Sequence, residues 1–366
     1  MIFDSPKMHA MRTKYLDRII FGVPPIVLLD RNEERVLEQD YLERIITEVK
    51  PEKQKEWLKK RLFSTSWEQF LAGQFEMFLY GWLQQLGSVI VEPVLGKGKP
   101  DFLLRTDQQD IIIEAKAHPI SDAKRKEIHL EYELFNRIRT IQLPYVIEIN
   151  ALQLCDFEEI NILIEKIEDW LKNNPGEKFI YNTQKTIMVA SINTELRSTN
   201  ENSVYFIYNP NGIIVDGKKL VSSILAKAKK YNYSEISDHP YIIAYFIEAD
   251  YFGGEEVVEA WFGKTQYSID FETNQINGVS SDLDGIAYKF SKISPKVSGL
   301  LVFKYNPARI NPVPLKGWYI QNPYAKYPID PSLFPVDSRF IVQERNDQYL
   351  SMGWIRDWPD FRIQKK

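Results

Sequence analysis

The chain has 366 residues, 44% of them apolar and 26% charged, which are the proportions of a soluble globular protein. Its length allows one large domain or two to three smaller ones around a sizeable core. The net charge of −4 counts against a non-specific nucleic-acid binder, while leaving room for a local basic groove.

Residues 31–62 are charged and helical in pattern, with Leu37, Tyr41, Leu42, Ile45, Ile46 and Val49 at three- and four-residue steps before Pro51 interrupts. A second helix is expected over 66–86, with Ser66 as N-cap and Gly87 as its stop. Phe70, Leu71, Phe75, Phe78, Leu79, Trp82, Leu83 and Leu86 give it a wide apolar face, which predicts deep packing. Glu76 stands in the middle of that apolar helix. Val89-Ile90-Val91 reads as a strand, followed by the loop Gly96-Lys97-Gly98-Lys99 and then two apolar runs flanking the turn Thr106-Asp107-Gln108-Gln109. Past 120 the pattern predicts a helix near 127–141, a strand over 145–149, a helix near 157–172, and strands at 186–192 and 204–208. Asn209-Pro210-Asn211-Gly212 is a turn; a helix over 219–231, a buried strand over 241–247 and a short helix near 255–262 follow. Beyond 295 the chain is rich in Pro, Tyr and Trp, from Asn306-Pro307 through Asn311-Pro312-Val313-Pro314 to Asn322-Pro323-Tyr324. It shows one clear strand, 300–303, and ends in Trp354, Trp358 and Phe361, read as anchors that dock the tail.

The hairpin carries the chemistry. Centring its turn on Asp107-Gln108 sets Asp101 opposite Glu114, because 101 + 114 equals 107 + 108. Directly paired residues share one sheet face, as do Glu114 and Lys116 two positions apart. Two carboxylates and an amine therefore converge, and carboxylates that close ionise poorly without a cation between them. A divalent metal is the natural occupant. Ile111-Ile112-Ile113 implies a strand buried on both faces, so charges at its end require a reason.

The succession of a helix bearing Glu76, a strand at 89–91, a strand opening at Pro100-Asp101 and a strand ending Glu114-Ala115-Lys116 resembles the PD-(D/E)XK nuclease superfamily. The resemblance implies an α/β (α+β) fold, with a restriction-endonuclease-like αβββαβ core and a mixed sheet. Around it would lie a helical N-terminal extension (1–62), an α/β subdomain inserted over 120–212 of a core spanning 63–262, and an aromatic-rich C-terminal region (263–366). Two segments offer the last helix and strand of the core, 127–149 and 219–247. The second is favoured, since Leu225-Ala226-Lys227-Ala228-Lys229-Lys230 precedes the apolar run from Tyr241.

The resemblance also implies Asp101, Glu114 and Glu76 as Mg²⁺ ligands (Mn²⁺ as substitute) with the Ala115 carbonyl beside them, and Lys116 as the group that activates water. The implied activity is DNA hydrolysis by an endonuclease, in restriction or phage defence, with a homodimer or a defence partner protein as company. Lys97, Lys99 and Lys227 are the candidate nucleic-acid contacts, with Lys230 as an alternative to Lys227; the other reading of the loop pair is solvated loop charge, and of the helix pair a solvated helix face. A different reading of Glu76 is a buried carboxylate neutralised by a nearby Lys or Arg. His118 shares the parity of Glu114 and Lys116, and is read either as a neighbour of the site or as a strand-end residue. A second class of function is a partner-dependent or inactive nuclease-fold subunit, motivated by the acidic balance and the aromatic C-terminal region. RNA as substrate has no motif behind it.

Rival sites fail. Gly263-Lys264-Thr265 lacks the leading glycine of a P-loop, position 258 being Val. Asp282 and Asp284 lack the later Glu of a calcium loop. The single Cys155 excludes a Cys-based zinc site and suits a cytoplasmic protein, and His9, His118, His129 and His239 have no ligand spacing. No apolar run approaches membrane-span length, and the start of the chain has no secretory-signal pattern.

Overall fold

The computed structural model describes residues 2–14, 26, 36–49, 52–95, 98–120, 122–154, 156–173, 175–176, 178–193, 204–208, 217–230, 238–248, 254–263, 265–270, 275–281, 285–286, 294–305, 315–345 and 350–356. Lys97, Cys155, the 209–212 turn, Pro307, Pro312, Pro314, Trp358 and Phe361 lie outside them. The chain divides into two compact units, Met1–Pro119 with Ile214–Lys366, and Ile120–Ile213. Among the described residues no helix is long and apolar enough to cross a membrane.

The first unit opens with helices α1 (Pro6–Lys14), α2 (Val36–Glu48), α3 (Glu52–Leu62) and α4 (Trp67–Leu83). Nearly every residue of α4 from Phe70 onward is buried, as its wide apolar face predicts. Ser66 sits at its N-cap position without a side-chain cap. The helix ends at Leu83, earlier than Gly87, where the Gln84 amide donates to the Tyr80 carbonyl at 3.0 Å. Gly87 serves the sheet instead of the helix. A side chain there would strike the Arg105 carbonyl, so the glycine lets the first strand start against its neighbour.

Strands β1 (Ser88–Val91), β2 (Phe102–Arg105) and β3 (Asp110–His118) pair antiparallel in sequence. Helix α7 (Gly217–Lys229) then leads to β8 (Tyr241–Ile247), which lies parallel to β3 in the same sheet. Strands β11 (Gly299–Tyr305), β12 (Leu315–Gln321), β13 (Ser338–Arg345) and β14 (Leu350–Arg356) continue it, giving the order β1-β2-β3-β8-β11-β12-β13-β14. Among the described residues beyond 295 there are four strands, where the sequence suggests one. The pairings β3–β8, β8–β11 and β12–β13 are parallel and the rest antiparallel, so the sheet is mixed. A helix α8 (Glu255–Phe262) and a separate hairpin, β9 (Thr265–Asp270) with β10 (Gln275–Ser281), complete this unit.

The faces of the sheet divide by parity. Ile111, Ile113, Ala115 and Ala117 of β3 join Ala244 and Phe246 of β8 in one core with Phe75, Met77, Phe78 and Leu79 of α4. The opposite parity (Ile112, Glu114, Lys116, His118) faces the side where α7 packs, and the Tyr241 hydroxyl there donates to the Lys227 carbonyl at 2.9 Å. Ile111, Ile112 and Ile113 are fully buried, each contributing roughly 1.5–3 kcal/mol of hydrophobic stabilisation.

The second unit is an α/β body with its own core. A sheet in the order β5-β6-β4-β7 is made by β4 (Val146–Gln153), β5 (Phe179–Asn182), β6 (Ile187–Ile192) and β7 (Tyr205–Tyr208). Helices α5 (Asp122–Arg139) and α6 (Glu158–Asn173) cover it, with Leu130, Leu134 and Ile138 from one and Ile160, Leu163, Ile167 and Leu171 from the other in the core. The strand at 145–149 thus belongs to this sheet, and the partner of β3 comes from 241–247.

Candidate functional site

The hairpin register follows from its turn. Phe102 pairs with Ile113 and Arg105 with Asp110, so the pairing sum is 215 throughout and Asp101 falls opposite Glu114. Strand β2 begins one residue later, at Phe102, while β3 runs on to His118. The Ile112 amide donates to the Pro240 carbonyl at 2.9 Å, so even-numbered residues of β3 direct their backbone groups toward β8 and odd-numbered ones toward β2. Ala115, two residues past the last position paired with β2, finds the Asp101 carboxylate instead: its amide donates to Oδ2 at 2.8 Å. Its carbonyl belongs to the same open edge.

Two lysines close over the carboxylates, Lys227 in the last turn of α7 and Lys230 one residue past its end. Lys227 Nζ lies 2.6 Å from Glu114 Oε2 and 3.4 Å from Asp101 Oδ2. Lys230 Nζ lies 2.7 Å from Glu114 Oε1 and 2.9 Å from Oε2. The Lys230 amide donates to the Lys227 carbonyl at 3.1 Å, so the chain turns on just past the helix end and both side chains reach the same acid. The Glu114 side chain is fully buried (0% exposed), whereas those of Lys227 and Lys230 are 19% and 39% exposed, so the ammonium groups stand on the solvent side of the carboxylate. Burial alone would lower the pKa of Lys227; Asp101 and Glu114 outweigh it and hold it above its ordinary value.

Lys116 goes elsewhere. It is half-buried, and its ammonium pairs with Glu68 of α4 at 3.7 Å. The amines against Asp101 and Glu114 are those of Lys227 and Lys230, at and just past the end of α7. Glu76 is buried and hydrogen-bonds the Arg61 guanidinium from α3, which in turn stacks on Trp57 at 3.7 Å. Burial pushes the Glu76 carboxyl up to about 8, with the Asp101 charge acting the same way and Arg61 and Lys227 pulling against both. Glu76 thus lies within electrostatic reach of the Asp101–Lys227 pair. Lys99 is exposed on the loop before Pro100. His118 stacks beside Tyr245 of β8, with Nδ1 3.5 Å from the phenol oxygen.

Arg61 and Glu68 have no signal in the sequence as site residues. Arg61 ends the basic run Lys59-Lys60-Arg61, which reads as a solvated helix end, and Glu68 is one of several exposed acids.

Asp101 and Glu114 aim at one point already held by positive charge. That donor set suits a hard cation: Mg²⁺ is commonly held by one or two carboxylates, with water completing its shell. Among the described residues no group of three or more His, Cys, Asp or Glu side chains is drawn together as a metal cage. No family model, curated protein or solved structure matches this chain.

Proposed function

We propose that this chain is a Mg²⁺-dependent nuclease that hydrolyses phosphodiester bonds of DNA, built on a restriction-endonuclease-like αβββαβ core of α4, β1, β2, β3, α7 and β8. The order of these elements and the parallel pairing of β8 with β3 support the core. The observation that carries the activity is the convergence of Asp101 and Glu114 on a single cationic point, where β2 has ended and β3 continues.

When bound, the divalent ion supplies an acidified water and charge stabilisation for the phosphoryl oxygens. The chain's own groups do the positioning. Asp101 is held by the Ala115 amide, Glu114 is fixed in the buried end of β3, and the Ala115 carbonyl adds an oxygen at the same edge. Lys227 and Lys230 bring positive charge to the solvent side, where a backbone phosphate arrives. Lys116, tethered to Glu68 at the rim, is the group that the resemblance assigns to water activation.

The test is cleavage of linear, circular and single-stranded DNA in Mg²⁺ and Mn²⁺. Wild type cuts, and Glu114→Ala lowers the rate by roughly 100-fold or more. Absence of metal-dependent cutting of any DNA form by the folded wild type overturns the enzymatic reading. A second reading, a nuclease-fold binding subunit without activity of its own, is favoured by the direction of Lys116 toward Glu68. It predicts metal-stimulated DNA binding with no cleavage.

A further inference from the structure

We infer that Lys227 and Lys230 are exchangeable cations: they neutralise Asp101 and Glu114 in the metal-free protein, and turn to the nucleic-acid backbone once a divalent ion takes those carboxylates. Cation and nucleic acid then bind cooperatively through these two lysines. This rests on the metal-site reading above and adds to it a means of coupling.

The charge balance drives the exchange. Two ammonium groups meet two carboxylates, with all four nitrogen–oxygen separations between 2.6 and 3.4 Å. Removing either charge from a buried pair leaves the other uncompensated, so Glu114, with no exposed surface, is held by whichever cation is present. A divalent ion brings two positive charges to the same oxygens. If both lysines stayed, four positive charges would crowd two negative ones at contact distance. Their repulsion expels the more weakly held groups, the ammonium ends of flexible four-carbon stems.

The helix itself can remain in place. Leu220, Ile224 and Ala228 are buried, and the Lys227 carbonyl is fixed by the Tyr241 hydroxyl. Lys227 and Lys230 are partly exposed, and a rotamer change moves their charge outward without moving the backbone. Two displaced ammonium groups beside a carboxylate-bound ion form a positive site of the kind that a phosphodiester backbone fills.

The experiment has two arms, run on wild type, Lys227→Met and Lys230→Met of the full chain, each verified as folded by circular dichroism. In the first, Mn²⁺ is titrated calorimetrically without DNA. Removing a competing internal cation tightens Mn²⁺ binding, by about 10-fold for Lys227→Met. In the second, binding of a labelled DNA duplex is measured by anisotropy in EDTA and in Ca²⁺. The substitutions leave affinity in EDTA within about 2-fold, because the lysines are then engaged with carboxylates, and weaken it by about 10-fold in Ca²⁺. Equal losses in EDTA and Ca²⁺, or weaker Mn²⁺ binding in the variants, overturn the exchange while leaving the metal site standing. A wild type that takes up no Mn²⁺ overturns both. Lys230, the more exposed of the pair, is read by the same two arms and suffices if Lys227→Met does not fold.

Discussion

The protonation of Glu76 bears directly on stability. Burial and the neighbouring Asp101 charge raise its carboxyl from the ordinary 4.5 to about 8, against the pull of Arg61 and Lys227. The folded state therefore holds the Glu76 proton more tightly than the unfolded chain does. The stabilisation this provides is complete below about pH 4.5 and is lost as the pH climbs through about 8. Glu76→Gln keeps an oxygen for Arg61 to donate to and removes the titration. In EDTA, the melting temperature of the variant should rise relative to wild type between pH 5 and pH 9, by on the order of 5 °C. A difference that stays flat across that range would remove the account of Glu76. Residues of the site differ in how far the sequence reveals them. Asp101 faces Glu114 because antiparallel pairing keeps a constant sum of residue numbers, and a turn of known position fixes that sum. Arg61 and Glu68 arrive through the packing of α3 on α4 and through side-chain reach, for which periodicity has no expression.

At the scale of elements, α4 connects the helical N-terminal region to the sheet, and two glycines on it mark where other helices cross. A β-carbon at Gly73 would lie 2.7 Å from the Arg61 β-carbon, and one at Gly81 would collide with the Tyr41 hydroxyl and Ile45 of α2. The approach at Gly73 is what brings Arg61 to Glu76. Gly73→Ala, although it favours helix, should cost about 1–3 kcal/mol through overpacking, read as a lower urea midpoint. The cost should shrink in an Arg61→Gly background, where the opposing β-carbon is gone. An additive double-mutant cycle would show that the contact carries no such strain. Legibility at this scale follows how much of an element is buried. β8 is apolar throughout and buried throughout, and α6 carries a regular stripe from Ile160 to Leu171, so both announce their period. β12 and β13 mix Lys, Gly, Gln, Arg and Glu among their apolar residues, which blurs both alternation and continuous burial, and so they read as irregular chain.

At the scale of the molecule, the eight-stranded sheet is assembled from chain segments that a whole compact unit separates. β3 ends at His118 and its parallel partner begins at Tyr241, with Ile120–Ile213 between them. That intervening unit buries its own set of apolar side chains, including Leu134, Ile147, Leu163, Trp170 and Met188, in a cluster distinct from the one around α4. Its hairpin closes locally, where the Thr183 amide donates to the Thr186 carbonyl at 2.8 Å, and α6 packs Trp170 against Phe179 of β5 at 5.2 Å between ring centroids. The contacts described within it all lie in one stretch of chain. The N-terminal segment is in the opposite position. In a fragment ending at Pro119, β3 would lose its whole ladder to β8, and Glu114 would lose Lys227 and Lys230, leaving an unpaired apolar edge and an uncompensated acid. A fragment of residues 120–213 should thus give dispersed amide resonances and a single cooperative urea transition, while a fragment of residues 1–119 should show neither and should aggregate. A cooperative transition in the 1–119 fragment would mean that the hairpin bearing Asp101 and Glu114 is ordered by α4 alone, and that α7 and β8 dock onto a frame already made.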